Sequence, residues 1–247
     1  MTHRSGSDPS QSDVGDLGAL RRLTVASVLL AVVIAVPSTY AFVAAFGFDV
    51  EAAIFGDPAA ILGRGPEAAA LLHWGALGDM LYSYLLLVPL ALYLHRKLRP
   101  RKPWLADLGT AGAFAYIFVG ASSAAILATV GPSLIEAYAA AAPVDRQPIA
   151  ISYGVMRDVV FFALWQTLDA ITAGTWVLSV GWLILPENRA RGLLLMAFGV
   201  AGLALGLQTV LGLHRLSYLA AGVAVPLAVW AGWLILDRLS QRERLPR

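Results

Sequence analysis

Residues 23–46 read LTVASVLLAVVIAVPSTYAFVAAF, a run of 24 residues without a charged side chain. A helix needs about 20 mainly apolar residues to cross the hydrocarbon core of a bilayer. The run therefore predicts a transmembrane helix, which Pro37 should kink. It follows Arg21-Arg22 directly and is too long for a cleaved leader, whose apolar core has about 7–15 residues.

Five more segments meet the same standard, and they lie at about 68–94, 108–130, 156–185, 192–213 and 216–236. We therefore expect an all-α, polytopic integral membrane bundle of about six transmembrane helices. Residues 1–20 are predicted to form a disordered polar tail, 21–237 the transmembrane domain and 238–247 a basic cytoplasmic tail. Gly131-Pro132 is expected to end the third span, and residues 133–142 to form a short interfacial helix.

The composition of the whole chain agrees with lipid as the main solvent. Of its 247 residues 58% are hydrophobic and 14% are charged, and the mean hydropathy is +0.70. Soluble domains carry about 25% charged residues. The chain contains no cysteine, which excludes disulfides, thiolate metal sites and a cysteine nucleophile.

The basic residues predict the orientation in the membrane. Fourteen of the 18 Lys and Arg residues fall in the N-terminal tail, the second and fourth loops and the C-terminus, and four fall on the opposite side. Cytoplasmic loops carry an excess of Lys and Arg. Both termini are therefore expected in the cytoplasm, and the protein in the cytoplasmic membrane of the cell.

Two aspartates lie inside predicted spans, Asp79 in the second and Asp169 in the fourth. A charge at the centre of a span costs about 2.5–3.5 kcal/mol on the insertion scale, so each needs a reason. The two spans run in the same direction, which predicts similar depths near the middle of the membrane. If their helices are neighbours, at least one carboxyl should carry a proton near neutral pH.

Helical spacing in the fourth span predicts one polar and aromatic face. The residues of this stripe are Asp158, Phe162, Trp165, Asp169, Thr172 and Trp176. It suggests an outward-opening pocket with Asp79 and Asp169 as its floor. His73 and Arg157-Asp158 would form its mouth, and Tyr82, Tyr84 and Gln166 would add hydrogen bonds.

Structural roles account for the same residues. The two aspartates would then hold helices together through Tyr, Trp or Thr donors. His73 would be an ordinary histidine near the interface, and Arg157-Asp158 an interface anchor. Gly199, Gly202 and Gly206 form a stripe of small residues that predicts close helix packing within the chain.

Several cofactor and partner classes are not indicated. No span contains a lysine for a Schiff base, and no paired ligand spacing for a metal or haem occurs, so we predict no cofactor and no metal. The basic run at 95–102 lies beside a span and is explained by topology and anionic headgroups, so nucleic acid is not an expected partner. Membrane lipid and a small-molecule ligand are the expected partners. The sequence does not fix the oligomeric state.

Three stretches carry a family resemblance: LLLVPLALYLHRKL at residues 85–98, the fourth span after Arg157-Asp158, and LILP at 183–186 before the glycine-rich fifth span. In these the chain resembles a bacterial family of six-helix membrane proteins catalogued as domain of unknown function 4386. The resemblance implies the fold and the location, and it supplies no activity.

Three functions remain open at this point. The protein binds or transports a small hydrophobic or protonatable ligand, or it is a membrane-embedded enzyme acting on a lipid or isoprenoid, or it is a structural or regulatory subunit. The sequence identifies no catalytic residue.

Overall fold

The computed structural model describes residues 9–213, and every regular element in this range is helical. We number seven helices in chain order, each with the bounds observed. They are α1 Pro9–Ala45, α2 Val50–Phe55, α3 Pro58–Leu62, α4 Gly65–Leu98, α5 Pro103–Ala140, α6 Pro143–Ile184 and α7 Arg189–Val210. The prediction of an all-α helical bundle is confirmed.

Five of these helices, α1, α4, α5, α6 and α7, are long and apolar enough to cross a membrane. Their outer faces are apolar as well. Val36 is 72% exposed and Phe118 74% exposed, although water would disfavour such contact. The protein is therefore embedded in a membrane. The sixth predicted span, 216–236, and the predicted tail 238–247 lie outside the described residues.

Close glycine contacts show that α6 and α7 are packed against each other. A Cβ at Gly199 of α7 would lie 2.6 Å from the backbone nitrogen of Leu178 on α6, and one at Gly174 of α6 would lie 2.8 Å from the backbone nitrogen of Leu203 on α7. Only residues without side chains allow backbones to approach this closely. The prediction that the glycine stripe packs within the chain is confirmed.

Two predicted helix boundaries are wrong at the loop between the third and fourth spans. α5 continues through Pro132 to Ala140, so residues 133–140 extend the third span and do not form a separate interfacial helix. α6 begins at Pro143, although a loop to Tyr153 was expected. Tyr153 and Met156 are buried, and this inward face stabilises the N-terminal part of α6.

α1 also differs from the sequence-based expectation at its start. It begins at Pro9, inside the stretch that was predicted to be a disordered tail. Proline is favoured in the first turn of a helix. Leu17 and Leu20 pack against the hydrophobic core, which supports the helix before the apolar run at 23–46 begins.

The interhelical connections lie at two ends of the bundle. At one end, Arg157 Nη1 on α6 donates a hydrogen bond to the carbonyl of Gly56, next to α2. At the other, Arg101 donates to the carbonyl of Leu183 at 2.8 Å and pairs with Glu187. The second and fourth loops therefore share one end, as the alternating topology requires, and the sidedness of that end stays a prediction.

Candidate ligand site

A cavity of about 320 Å³ lies in the interior of the bundle. Its walls come from α1, α4, α5 and α6, with contributions from α2 and α7. The lining residues are Ser38, Thr39, Phe42, Val50, Ile54, Gly75, Asp79, Tyr82, Ser83, Tyr84, Tyr116, Phe161, Trp165, Gln166, Asp169 and Leu205. Small-molecule sites in proteins usually measure about 300–1,000 Å³, so the cavity is large enough for a small organic ligand.

Three of the four walls have an irregular backbone beside this cavity. Pro37 interrupts the hydrogen bonding of α1 immediately before Ser38. α4 contains a π-helical segment at Met80–Tyr84, and α6 contains one at Val159–Asp169. Irregular backbone at membrane depth is tolerated where it is buried in protein or lines a cavity, and π segments are frequent at functional sites.

The two π segments decide which side chains line the cavity. In a π helix the hydrogen bonds join residues i and i+5, so each turn holds more residues than an α turn. Asp79 is followed at i+4 and i+5 by Ser83 and Tyr84, and all three line the cavity. Phe161 is followed in the same way by Trp165 and Gln166. The wider turn thus presents two consecutive residues inward on each helix.

The irregularity in α4 has a cause in the sequence. Pro89 lacks the N–H that would bond to the carbonyl of Leu85. A short 3₁₀ turn at Leu85–Leu87 compensates, because the N–H of Val88 donates to that carbonyl instead. The change of helix type places Tyr84 directly against Gly120 of α5, where a Cβ would overlap the tyrosine ring. Gly120 therefore leaves the space that the Tyr84 ring occupies.

Each aspartate accepts a hydrogen bond from a side chain of α4. Ser83 Oγ donates to Asp79 Oδ1 at 2.7 Å, and the Tyr84 hydroxyl donates to Asp169 Oδ2 at 3.2 Å. The second bond joins α4 to α6 across the cavity. Asp169 is 5% exposed, and it lines the same cavity as Asp79. The structure therefore brings the two aspartates to one site.

Three lining residues carry a buried polar atom without a hydrogen-bond partner. These atoms are Trp165 Nε1, Gln166 Oε1 and Asp169 Oδ1. Only one other such atom, the Tyr153 hydroxyl, occurs among the described residues, and Tyr153 does not line the cavity. Buried polar groups are nearly always hydrogen-bonded, because leaving one unpaired costs about 1–3 kcal/mol. Three at one cavity indicate that a partner from outside the described residues completes this site.

His73 is not among the residues that line the cavity, so its predicted role requires correction. Its Nδ1 donates a hydrogen bond of 2.8 Å to the carbonyl of Ala128 on α5. Pro132 has no N–H and cannot make the helical bond to that carbonyl four residues earlier. His73 therefore supplies the donor that the proline lacks, and this bond helps α5 to continue through Pro132.

Arg157 and Asp158 also lie outside the cavity lining. Arg157 contacts Asp158 through Nε and Nη2, both at 3.1 Å, and reaches the carbonyl of Gly56 at 2.7 Å. These contacts fasten the segment after α2 to α6. The pair thus holds a loop at the end of the bundle and does not line the cavity whose mouth it was predicted to form.

The predicted stripe on the fourth span is also divided by the structure. Trp165 and Asp169 line the cavity, whereas Thr172 donates back to the carbonyl of Leu168 at 2.8 Å and Trp176 is buried in the core beside Tyr116. The α-helical spacing used for the prediction does not apply across residues 159–169, where the helix is of the π type.

Some lining residues had a signal in the sequence and others had none. Tyr82, Tyr84 and Gln166 were predicted to add hydrogen bonds near the aspartates. Ser83 was missed, although its position four residues after Asp79 is a helical neighbour position. Tyr116, whose hydroxyl donates to the carbonyl of Ser83 at 3.3 Å, lies on an apolar helix and has no sequence signal.

In comparisons with known proteins, no family model, no curated protein and no solved structure matches the chain. Between residues 9 and 213 there is also no group of three or more His, Cys, Asp or Glu side chains placed to hold a metal ion.

Proposed function

We propose that the protein is a multi-pass protein of the cytoplasmic membrane that binds, and in doing so transports or senses, a small and mainly apolar ligand in the central cavity. Asp79 and Asp169 hold the polar part of the ligand. The cavity reaches Val50 and Ile54 of α2, at the end of the bundle that the basic residues predict to face outward. The ligand therefore enters from the outer side.

The observation that carries this proposal is the set of unpartnered polar atoms on Trp165, Gln166 and Asp169. A purely structural polar cluster would satisfy its members among themselves, because an unpaired buried group destabilises the fold. Here Ser83 donates to Asp79 and Tyr84 donates to one oxygen of Asp169, so the other oxygen of the buried Asp169 has no donor. A bound ligand gives this oxygen its partner.

The absence of cysteine from the chain allows a direct test. Ser83→Cys places one thiol in the cavity lining, and Ser123→Cys places one at a buried position of α5 outside the lining. A small membrane-impermeant thiol reagent added outside intact cells should modify Ser83→Cys and leave Ser123→Cys unmodified. Equal labelling of both variants, or of neither, would contradict an outward-opening cavity.

Ligand binding is then measured as protection of the same thiol. Small amphipathic molecules are screened on the purified full-length Ser83→Cys protein in nanodiscs, and a bound molecule should slow the modification of the thiol. If no molecule slows it, and if Asp79→Asn and Asp169→Asn alter only stability, the protein is a structural subunit. Chemical conversion of a protecting molecule would instead identify an enzyme. Membership of the six-helix family named above stays a prediction.

A further inference from the structure

We infer that the ligand is a small organic amine, bound as its ammonium ion by Asp169 and Gln166. This inference rests on the proposed function, because it names the chemical class of the molecule in the same cavity. Three separate features of the lining support it: its charge, its unpartnered acceptors and its aromatic residues.

The charge of the lining favours a cation. Two carboxylates lie in the cavity, and none of the described lining residues is a lysine, an arginine or a histidine. A buried carboxylate without a positive partner is costly, so such groups are usually paired. An ammonium ion supplies the positive partner that the described part of the chain does not place there. An anionic ligand would add a negative charge beside the two aspartates in the same space.

The unpartnered acceptors require hydrogen-bond donors from the ligand. Asp169 Oδ2 accepts from Tyr84, which leaves Oδ1 open, and Gln166 Oε1 is open as well. Asp169 and Gln166 are 5% and 7% exposed, so both are more than nine-tenths buried. A primary or secondary ammonium has at least two N–H donors for these two acceptors, and its bond to the carboxylate is charge-assisted. The third open atom, Trp165 Nε1, is a donor and would take an oxygen of the ligand.

The aromatic lining favours an organic cation over a bare metal ion. Six lining residues are aromatic, namely Phe42, Tyr82, Tyr84, Tyr116, Phe161 and Trp165. Aromatic faces attract organic cations and bury their apolar parts. A cavity of about 320 Å³ is also far larger than a single sodium or potassium ion requires.

The test compares three probes of one shape and different charge: 2-phenylethylamine, 2-phenylethanol and phenylacetate. Binding to the full-length protein in nanodiscs of neutral lipid is measured by calorimetry at neutral pH, where the amine is an ammonium ion. We expect the amine to bind at least about tenfold more tightly than the alcohol, since a hydrogen bond to a charged group contributes at least one power of ten in affinity. Phenylacetate should show no binding.

Variants identify the acceptor. Asp169→Asn should lower the affinity for the amine about tenfold or more and leave that for the alcohol nearly unchanged. Asp145→Asn is the matched control, because Asp145 is an exposed carboxylate whose side chain makes no capping bond, at the predicted outer end of the bundle. It should leave all affinities unchanged.

Each alternative outcome separates the inference from the proposed function. Equal affinities for amine and alcohol, or tighter binding of phenylacetate, would refute the ammonium ligand while leaving a ligand cavity in place. Stabilisation by sodium or potassium ions without any effect of the amine would replace the organic cation by an inorganic one and would also refute the inference. An unreactive Ser83→Cys thiol together with no binding of any probe would refute both the ammonium ligand and the proposed ligand cavity.

Discussion

The hydrogen bond from His73 to Ala128 leads to a quantitative prediction. Pro132 leaves the Ala128 carbonyl without its helical donor, and His73 Nδ1 supplies one at 2.8 Å. His73→Phe removes this donor but keeps a ring against Trp74, whose ring centroid lies 5.1 Å from that of His73. The substitution therefore tests the hydrogen bond with little change in packing.

The expected cost follows from the burial of the carbonyl. Side-chain hydrogen bonds inside membrane proteins average about 0.6 kcal/mol and reach about 1.7 kcal/mol. A buried acceptor left without any donor costs about 1–3 kcal/mol. Ala128 is 3% exposed, so water cannot replace the histidine. We therefore expect His73→Phe to lower the free energy of unfolding by about 1–2 kcal/mol.

The same substitution should cost much less in a Pro132→Ala background. Alanine restores the backbone N–H, which can donate to the Ala128 carbonyl within α5. The loss caused by His73→Phe should then fall below about 0.5 kcal/mol, which gives a coupling energy of about 1 kcal/mol between the two positions.

Reversible unfolding in mixed micelles, followed by circular dichroism, measures all four proteins of this cycle. His95→Phe is the control, because His95 bonds to Thr110 near the other end of the bundle and should show no coupling to Pro132. An equal cost of His73→Phe in both backgrounds would refute the reasoning. If His73→Phe instead abolished ligand binding without lowering stability, His73 would belong to the ligand site.

Three glycine-to-alanine substitutions test the close helix contacts described above. Gly120→Ala should lower the free energy of unfolding by about 2–4 kcal/mol, because the new methyl group overlaps the Tyr84 ring and breaks its hydrogen bond; Gly120→Ala should also weaken amine binding, measured by calorimetry. Gly199→Ala should lower the free energy of unfolding by about 1–3 kcal/mol without a specific effect on binding, because its Cβ would meet the backbone of Leu178. Gly18→Ala should raise stability by up to about 1 kcal/mol, since nothing lies within 4 Å of its Cβ position and alanine favours helix. Unfolding in mixed micelles checks all three, and a loss for Gly18→Ala as large as that for Gly120→Ala would contradict the overlap argument.

Five of the six spans could be predicted from the sequence, and the sixth stays a prediction. Each depends on a single property, the length of an apolar run. The ends of the spans could not, because they depend on contacts made elsewhere. Pro132 predicts a helix end only if the carbonyl of Ala128, four residues earlier, is assumed to have no other donor. The donor that changes this outcome, His73, lies 55 residues earlier on another helix.

The candidate site was predicted in part for a similar reason. Asp79 and Asp169 were found because a carboxylate inside a span is costly wherever it points. Their companions depend on helix type. Periodicity of about 100° per residue selected Thr172 and Trp176 with Trp165, whereas the π segment of α6 selects Gln166 and Phe161. No residue in that segment marks the change of helix type in the sequence.

The choice of aspartate at position 169 argues against a purely structural role. Asparagine would still accept the bond of Tyr84, and it would avoid the cost of about 2.5–3.5 kcal/mol for a charge within a span. Sites built for function often sacrifice stability in this way. Asp169→Asn should therefore leave the ligand-free protein equally stable or more stable in the unfolding assay, while it weakens binding of the amine. If the variant is instead clearly less stable without ligand, the carboxylate stabilises the fold. The unpartnered oxygen of Asp169 would then be no evidence for a bound ligand.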